Sequence, residues 1–344
     1  MKIIFYNTKP YDKTYFDVYC ARYGFEAEYI EEKLCGPTAR FAQGFDAVCI
    51  FVNDTADAEV IEALAGYGVK LLLLRCAGYN NVDVRAAYKK IHVLRVPGYS
   101  PKSIAEHALA LLLCVNRKLH RAYTRTRDFN FSINGFTSGN LGGKAVGIIG
   151  TGKIGRAAVS LFRGIGMKVL AYDKFPASES GAEYVPLGRL FAESDVISLH
   201  CPLTPETSHL INAESIAKMK DGVIIINTSR GKIIDTAAAI AGLDSKKIGG
   251  MGLDVYEEEE EYFYEDLSEE IIYDKELVRL LSYPNVLLTS HQAFLTHEAL
   301  EAIAADTVKN AAAYRAGEFM ENQVCYQCEL KGDCGKRKKR INCF

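Results

Sequence analysis

No run of apolar residues in this chain approaches the roughly 20 needed to cross a bilayer as a helix. The opening "MKIIFYNTK" passes straight into a strand-like pattern, without the long apolar core of a secretory leader. Neither sign of charge dominates: 41 basic and 43 acidic residues leave a formal net charge of −2. That balance gives no footing for nucleic acid or a membrane surface as partner. No tandem repeat is evident, and only the segment 324–344 is compositionally biased. Together these absences predict a cytoplasmic globular protein.

What is present is enough chain for more than one core. At 344 residues, 49% hydrophobic and 24% charged, two domains of ordinary soluble composition are expected. Of the 10 cysteines, Cys20, Cys35, Cys49, Cys76, Cys114 and Cys201 are scattered, several inside apolar runs such as "DAVCIFV" and "ALLLCV". They read as buried thiols in a reducing compartment. The other four, Cys325, Cys328, Cys334 and Cys343, crowd into "CYQCELKGDCGKRKKRINC". Four thiols so grouped could hold zinc or an iron–sulfur cluster. The leading C-x-x-C could instead be a redox pair, its thiolates favoured by Lys336 to Arg340, or the segment could be a plain basic extension.

"KIIFYN", "DAVCIFV" and "KLLLLRC" are β-rich runs separated by helix-compatible "YFDVYCARYG" and "DAEVIEALAGYG". The alternation predicts a parallel α/β unit over 1–100. "VPGYSPKS" reads as a connection, followed by a helix through "SIAEHALALLLCVNRKLHRAYTRTR". A second alternating series fills 101–296, with strands in "KAVGIIG", "KVLAYD", "DVISLHC", "GVIIINT", "IGGMGLDV" and "NVLLTSH". A last helix within 297–323 is expected to return to the first domain, leaving 324–344 as a Cys-rich basic tail.

Gly150-Thr151-Gly152-Lys153-Ile154-Gly155 matches G-x-G-x-x-G between an apolar strand and a helical pattern, and the next strand ends in Asp173. This is the arrangement of a dinucleotide-binding unit. The glycines let backbone N–H groups approach a pyrophosphate at a helix N-terminus. An acid at 173 suits a ribose hydroxyl and repels a 2′-phosphate, so the expected cofactor is NAD. The expected fold class is α/β with two Rossmann-like domains. One is a discontinuous, flavodoxin-like substrate domain; the other is an inserted, doubly wound parallel-sheet NAD-binding domain.

Three further strand ends carry chemistry. "NTSRG" offers Arg230, "GLDVYEEEEE" offers the run Glu257 to Glu261, and "SHQAF" offers His291. Carboxyl ends of strands face the ligand crevice of a doubly wound sheet. Arginine grips a carboxylate in bidentate fashion, and histidine exchanges a proton near neutral pH. A glutamate beside the histidine favours and orients the imidazolium. The set suits reduction of a 2-keto acid.

The motifs "VGIIGTGKIG", "DVISLHCPLTPET", "INTSRGKIID", "GLDVYE" and "HQAFLTHEAL", with "RCAGYNNVD" and "YFYEDLSEEII", resemble the D-2-hydroxyacid dehydrogenase family and its lactate branch. The resemblance runs to about Gln323. It implies that Arg230 binds the substrate carboxylate, that His291 is the acid in pyruvate reduction, and that Glu259, counted from Asp254, is its partner. The other four glutamates are then ordinary solvated residues. Asp254 would face the nicotinamide carboxamide, and Gly150, Gly152, Lys153, Ile154, Gly155 and Asp173 would hold the rest of the cofactor. Cys201, Pro202 and Thr207 would line its cleft, with Thr228 and Ser229 on the nicotinamide side. Backbone amides of Cys76, Ala77 and Gly78 would hold the substrate carboxylate, and Tyr99 and Phe294 would close the pocket. Gly98 in "VPGYSP" stands where alanine is common in the family. A homodimer or homotetramer is implied as well.

Two alternatives stay open at this level. One is a dehydrogenase for bulkier 2-keto acids such as 2-ketoisocaproate or phenylpyruvate, and the other is a non-catalytic NAD-sensing module. His107, His120, His200 and His297 read as structural.

Overall fold

Short aliphatic runs buried on both faces make the strands, as parallel sheets covered by helices require; Ala47–Ile50 and Leu71–Leu74 are buried along their whole length. The computed structural model describes residues 1–177, 181–327 and 339–344. Its strands begin with β1 (Lys2–Phe5), β2 (Glu26–Tyr29), β3 (Ala47–Ile50), β4 (Leu71–Leu74), β5 (His92–Arg95) and β6 (Ala145–Ile149). They continue with β7 (Lys168–Tyr172), β8 (Glu183–Tyr184), β9 (Val196–Leu199), β10 (Val223–Asn227), β11 (Ile248–Leu253), β12 (Val286–Leu288) and β13 (Gln323–Val324).

The chain divides into two compact units, Met1–Ser100 with Thr296–Phe344, and Pro101–Leu295. The first holds a sheet in the order β13-β5-β4-β3-β1-β2. Its five parallel strands follow the flavodoxin-like order. β13 adds an antiparallel edge, pairing Gln323 with Leu94 and Val324 with Val93. The helix His297–Arg315 buries Ile303, Ala304, Val308 and Ala311, and starts at Thr296, whose hydroxyl accepts the Ala299 N–H. Part of the segment read as a basic tail therefore packs onto this unit. Cys325 is buried, and Phe344 stacks on His92 with ring centroids 4.2 Å apart.

The second unit is an all-parallel sheet in the order β12-β11-β10-β9-β6-β7-β8. Strand order reverses between β6 and β9, the switch point at which doubly wound sheets bind ligands. One face packs residues such as Leu199, Ile225, Leu253 and Leu280. The other packs Val146, Ile148, Phe162 and Leu111.

Candidate active site

At the switch point the chain leaves β6 through Gly150, whose φ of 94° is left-handed. A Cβ there would stand 2.6 Å from the His200 carbonyl and the Cys201 nitrogen, so only glycine fits. A Cβ at Gly155 would lie 1.9 Å from the Gly150 oxygen, whereas at Gly152 the space is open. The helix Lys153–Gly164 begins there, with Gly152 and Lys153 exposed. The first N–H groups of a helix have no intrahelical acceptor, so this exposed end can serve as a cradle for an anion.

Asp173 follows β7. Its Oδ2 accepts from the Thr151 N–H at 2.5 Å and hydroxyl at 3.0 Å, and its Oδ1 from the Phe175 N–H at 2.8 Å. Burial pushes this carboxyl up, but these hydrogen bonds and Arg156 outweigh it and hold it below the usual range. It stays ionised, as a contact to a ribose hydroxyl would require. Cys201 is buried and Pro202 exposed, and the Thr207 hydroxyl donates to the Pro202 carbonyl at 2.6 Å, knitting this loop together. At the end of β10 the Ser229 hydroxyl donates to the Leu199 carbonyl at 2.8 Å. The neighbouring Thr228 Oγ is buried without a protein partner. The open cradle, the ionised acid and this orphaned hydroxyl fit a dinucleotide.

Arg230, half-buried, lies in the "NTSRG" loop. Asn227 folds this loop by donating to the Arg230 carbonyl at 2.9 Å and accepting the Ser229 N–H at 3.0 Å. A Cβ on Gly231 would fall 1.9 Å from the Tyr256 oxygen. Glycine at 231 thus lets the arginine loop lie directly on the loop that carries the glutamates.

Beyond β11, Asp254 is wholly buried, at 0% exposure. Its carboxylate accepts from the Thr289 hydroxyl (2.6 Å), the Gln292 N–H (2.9 Å) and the Ala293 N–H (2.8 Å). Its carbonyl accepts the His291 N–H at 2.8 Å. The carboxylate and carbonyl of Asp254 together clamp the turn that bears His291. That turn places His291 at φ 48°, a conformation non-glycine residues adopt where surroundings enforce it.

His291 Nδ1 stands 2.8 Å from Glu259 Oε1, while Oε2 accepts the Tyr256 N–H at 2.9 Å. An ionised carboxylate only accepts, so Nδ1 carries the proton and Nε2 remains for other chemistry. Tyr264, itself at φ 70°, donates its hydroxyl to the His291 carbonyl at 3.1 Å. Its ring lies at 28° to the imidazole.

The glutamate run divides differently from expectation. Glu258, Glu260 and Glu261 are exposed. Glu257, expected to be solvated, is not: its side chain is 18% exposed. Its Oε2 accepts from the Thr236 N–H and hydroxyl at 3.1 and 2.8 Å, and Oε1 meets His209 Nε2 at 2.5 Å. It is a structural acid at the start of the helix Thr236–Asp244.

Phe294 is buried just past the His291 turn. Cys76, Ala77, Gly78 and Tyr99 belong to the first unit. There Arg95 donates to the Ala77 carbonyl at 2.8 Å, and the Cys76 thiol donates to the Gly78 carbonyl at 3.2 Å. Cys328 and Cys334 lie outside the described residues. Among the described residues, no group of His, Cys, Asp or Glu is arranged to hold a metal ion. Sequence reasoning missed His107, Thr289 and Tyr264. His107 had a usable signal, since it shares a helix face with Leu111 and Val115.

Comparison with known proteins bears on this geometry. Residues 109–293 match the family described as D-isomer specific 2-hydroxyacid dehydrogenase, NAD binding domain. A 2-hydroxyacid dehydrogenase homolog of Haemophilus influenzae is 52% identical over 328 residues, 94% of this chain and 99% of the relative. D-lactate dehydrogenase of Escherichia coli is 50% identical over 328 residues, 94% of this chain and 100% of the relative. The apo-structure of D-lactate dehydrogenase from Escherichia coli matches with a TM-score of 0.87 at 48% identity, covering 94% of this chain and 100% of that one.

Proposed function

The chain belongs to the D-isomer-specific 2-hydroxyacid dehydrogenase family, and from that premise we propose that it is a D-lactate dehydrogenase working mainly as a pyruvate reductase. Membership makes it an NAD-dependent oxidoreductase acting on a small 2-keto acid. The observation that carries the chemistry is the 2.8 Å contact of His291 Nδ1 with Glu259 Oε1, beside a loop that presents Arg230.

When bound, NADH would supply the hydride for C2 of the keto acid. The rest falls to side chains. Arg230 pairs with the substrate carboxylate through its planar fork and offsets charge growing on the carbonyl oxygen. His291, with Nδ1 held by Glu259, gives its Nε2 proton to that oxygen and takes it back in lactate oxidation. Glu259 keeps the ring oriented and compensates the imidazolium. Cys76, Ala77 and Gly78 as carboxylate-binding amides, and Tyr99 and Phe294 as pocket walls, belong to the same proposal.

Assembly as a homodimer or homotetramer is part of the reading. Leu119, Tyr123, Phe129, Phe131 and Ile133, all exposed within one segment, support it, and light scattering checks it. A cytoplasmic location is supported by the scattered, buried thiols of Cys20, Cys49 and Cys201. No described helix is long and apolar enough to cross a membrane.

The test is NADH oxidation with pyruvate, 2-ketoisocaproate and phenylpyruvate, with chiral analysis of the product. Pyruvate should give the highest kcat/KM and D-lactate the product. Preference for the larger acids would move the chain to that branch of the family. No turnover with any of them, alongside tight NADH binding, would favour the sensing module.

A further inference from the structure

Val115, Leu111 and His107 lie at four-residue spacing on one face of the helix Pro101–Arg117. Gly250, Gly252 and Asp254 lie at two-residue spacing along β11 and its continuation. Four residues of helix rise about 6 Å and two of strand about 6.6 Å, so the two rows stay in step. They also touch. A Cβ at Gly250 would meet Val115 Cγ1 at 2.7 Å, and one at Gly252 would meet Leu111 Cβ at 2.9 Å. Bare glycines let the helix sit directly on the strand, and the next pair in the series is His107 with Asp254, Nε2 to Oδ1 at 3.3 Å.

His107 Nε2 also stands 3.0 Å from Thr289 Oγ. The Thr289 hydroxyl has one proton and a close acceptor in Asp254 Oδ1 at 2.6 Å, so it accepts from His107 Nε2–H. That assigns the His107 tautomer. It also pins a rotor, because the Leu253 carbonyl, 3.3 Å from the same hydroxyl, is a competing acceptor. With His107 in place the Thr289 O–H keeps donating to Asp254. The Asp254 carboxylate in turn holds the N–H groups of Gln292 and Ala293, the two residues that follow His291.

We propose that His107 is a positioning residue for His291, acting through Thr289 and Asp254; this rests on the reading of His291 as the proton donor. It fixes the left-handed turn from behind, as Glu259 fixes the ring from the front. Losing the Nε2–H frees the Thr289 hydroxyl to turn to Leu253, loosens the clamp and lets His291 drift from its productive geometry.

Two substitutions and two measurements test this. His107→Phe removes the donor and keeps the bulk; His107→Gln returns an N–H near the Nε2 position. For His107→Phe, kcat for pyruvate should fall about 10- to 100-fold, the scale set by small misplacement of a catalytic group, with the Kd for NADH unchanged. His107→Gln should stay within about fivefold of wild type, the worth of one ordinary hydrogen bond. In parallel, the low-field NMR signal of the His291 Nδ1 proton, assigned by its loss in His291→Gln, should broaden or move in His107→Phe and return in His107→Gln. Wild-type kcat in His107→Phe overturns the proposal. So does a loss of kcat that only tracks a lost folded fraction and leaves that signal in place. If wild type turns over no keto acid, the functional reading fails, and the NMR signal alone decides whether His107 positions His291.

Discussion

His291 presents Nδ1 to Glu259 Oε1 at 2.8 Å from a left-handed backbone φ of 48°. A ring so held has one nitrogen committed and the other left for proton exchange. Glu259→Gln replaces an obligatory acceptor by an amide that can donate in its place. Turnover should drop about 10- to 100-fold, within the range of general acid–base contributions, and its pH profile should shift. Glu258→Gln, Glu260→Gln and Glu261→Gln should leave both unchanged. Comparable pH-rate shifts at the neighbours would show that the partner of His291 has been misassigned.

Glu257 should behave as a structural acid. Glu257→Ala removes the acceptor for the Thr236 N–H and hydroxyl, and the partner of His209. A loss of about 1–3 kcal/mol is expected for hydrogen bonds to a partly buried charge. Denaturant unfolding measures it, and kcat per folded molecule should remain within about twofold, since surface and capping contacts act on stability rather than chemistry.

His200 makes the second unit acid-sensitive. Burial lowers its pKa to about 4, and its Nδ1 has no partner, while an unfolded histidine titrates near 6.5. Between these values the unfolded chain binds a proton that the folded chain does not. The stabilisation is therefore whole above about pH 6.5, falls as pH drops toward 4 and levels off below, on the order of 3 kcal/mol in all. In His200→Gln the thermal midpoint should fall less between pH 7 and pH 4.5 than in wild type. An equal fall in both proteins would show that His200 is not the group responsible.

Much of this was legible in the residues. Buried aliphatic runs alternating with amphipathic stretches specify two parallel α/β sheets, and Gly150 to Gly155 followed by Asp173 marks the switch point. Among the five glutamates only the family resemblance, counted from Asp254, singles out Glu259. The rest depends on contacts between segments far apart in the chain, which local pattern does not encode. Glu257 looked like its neighbours because its partners, His209 and Thr236, come from other loops. The hold of Asp254 on Thr289, Gln292 and Ala293 was hidden for the same reason. His107 stood in an apolar helix with its purpose hidden until that helix was laid on the glycines of β11. The pairing of Gln323 and Val324 with β5 was equally hidden, because a two-residue edge strand carries almost no periodicity.

The central claim is that His291 moves the proton. Replacing it by glutamine keeps the turn and the approximate shape but removes a group that can deliver a proton near neutral pH. NADH binding to His291→Gln, followed by fluorescence titration, should match wild type, while pyruvate reduction falls by about 10²-fold or more. Pyruvate reduction at the wild-type rate in that variant would contradict the account.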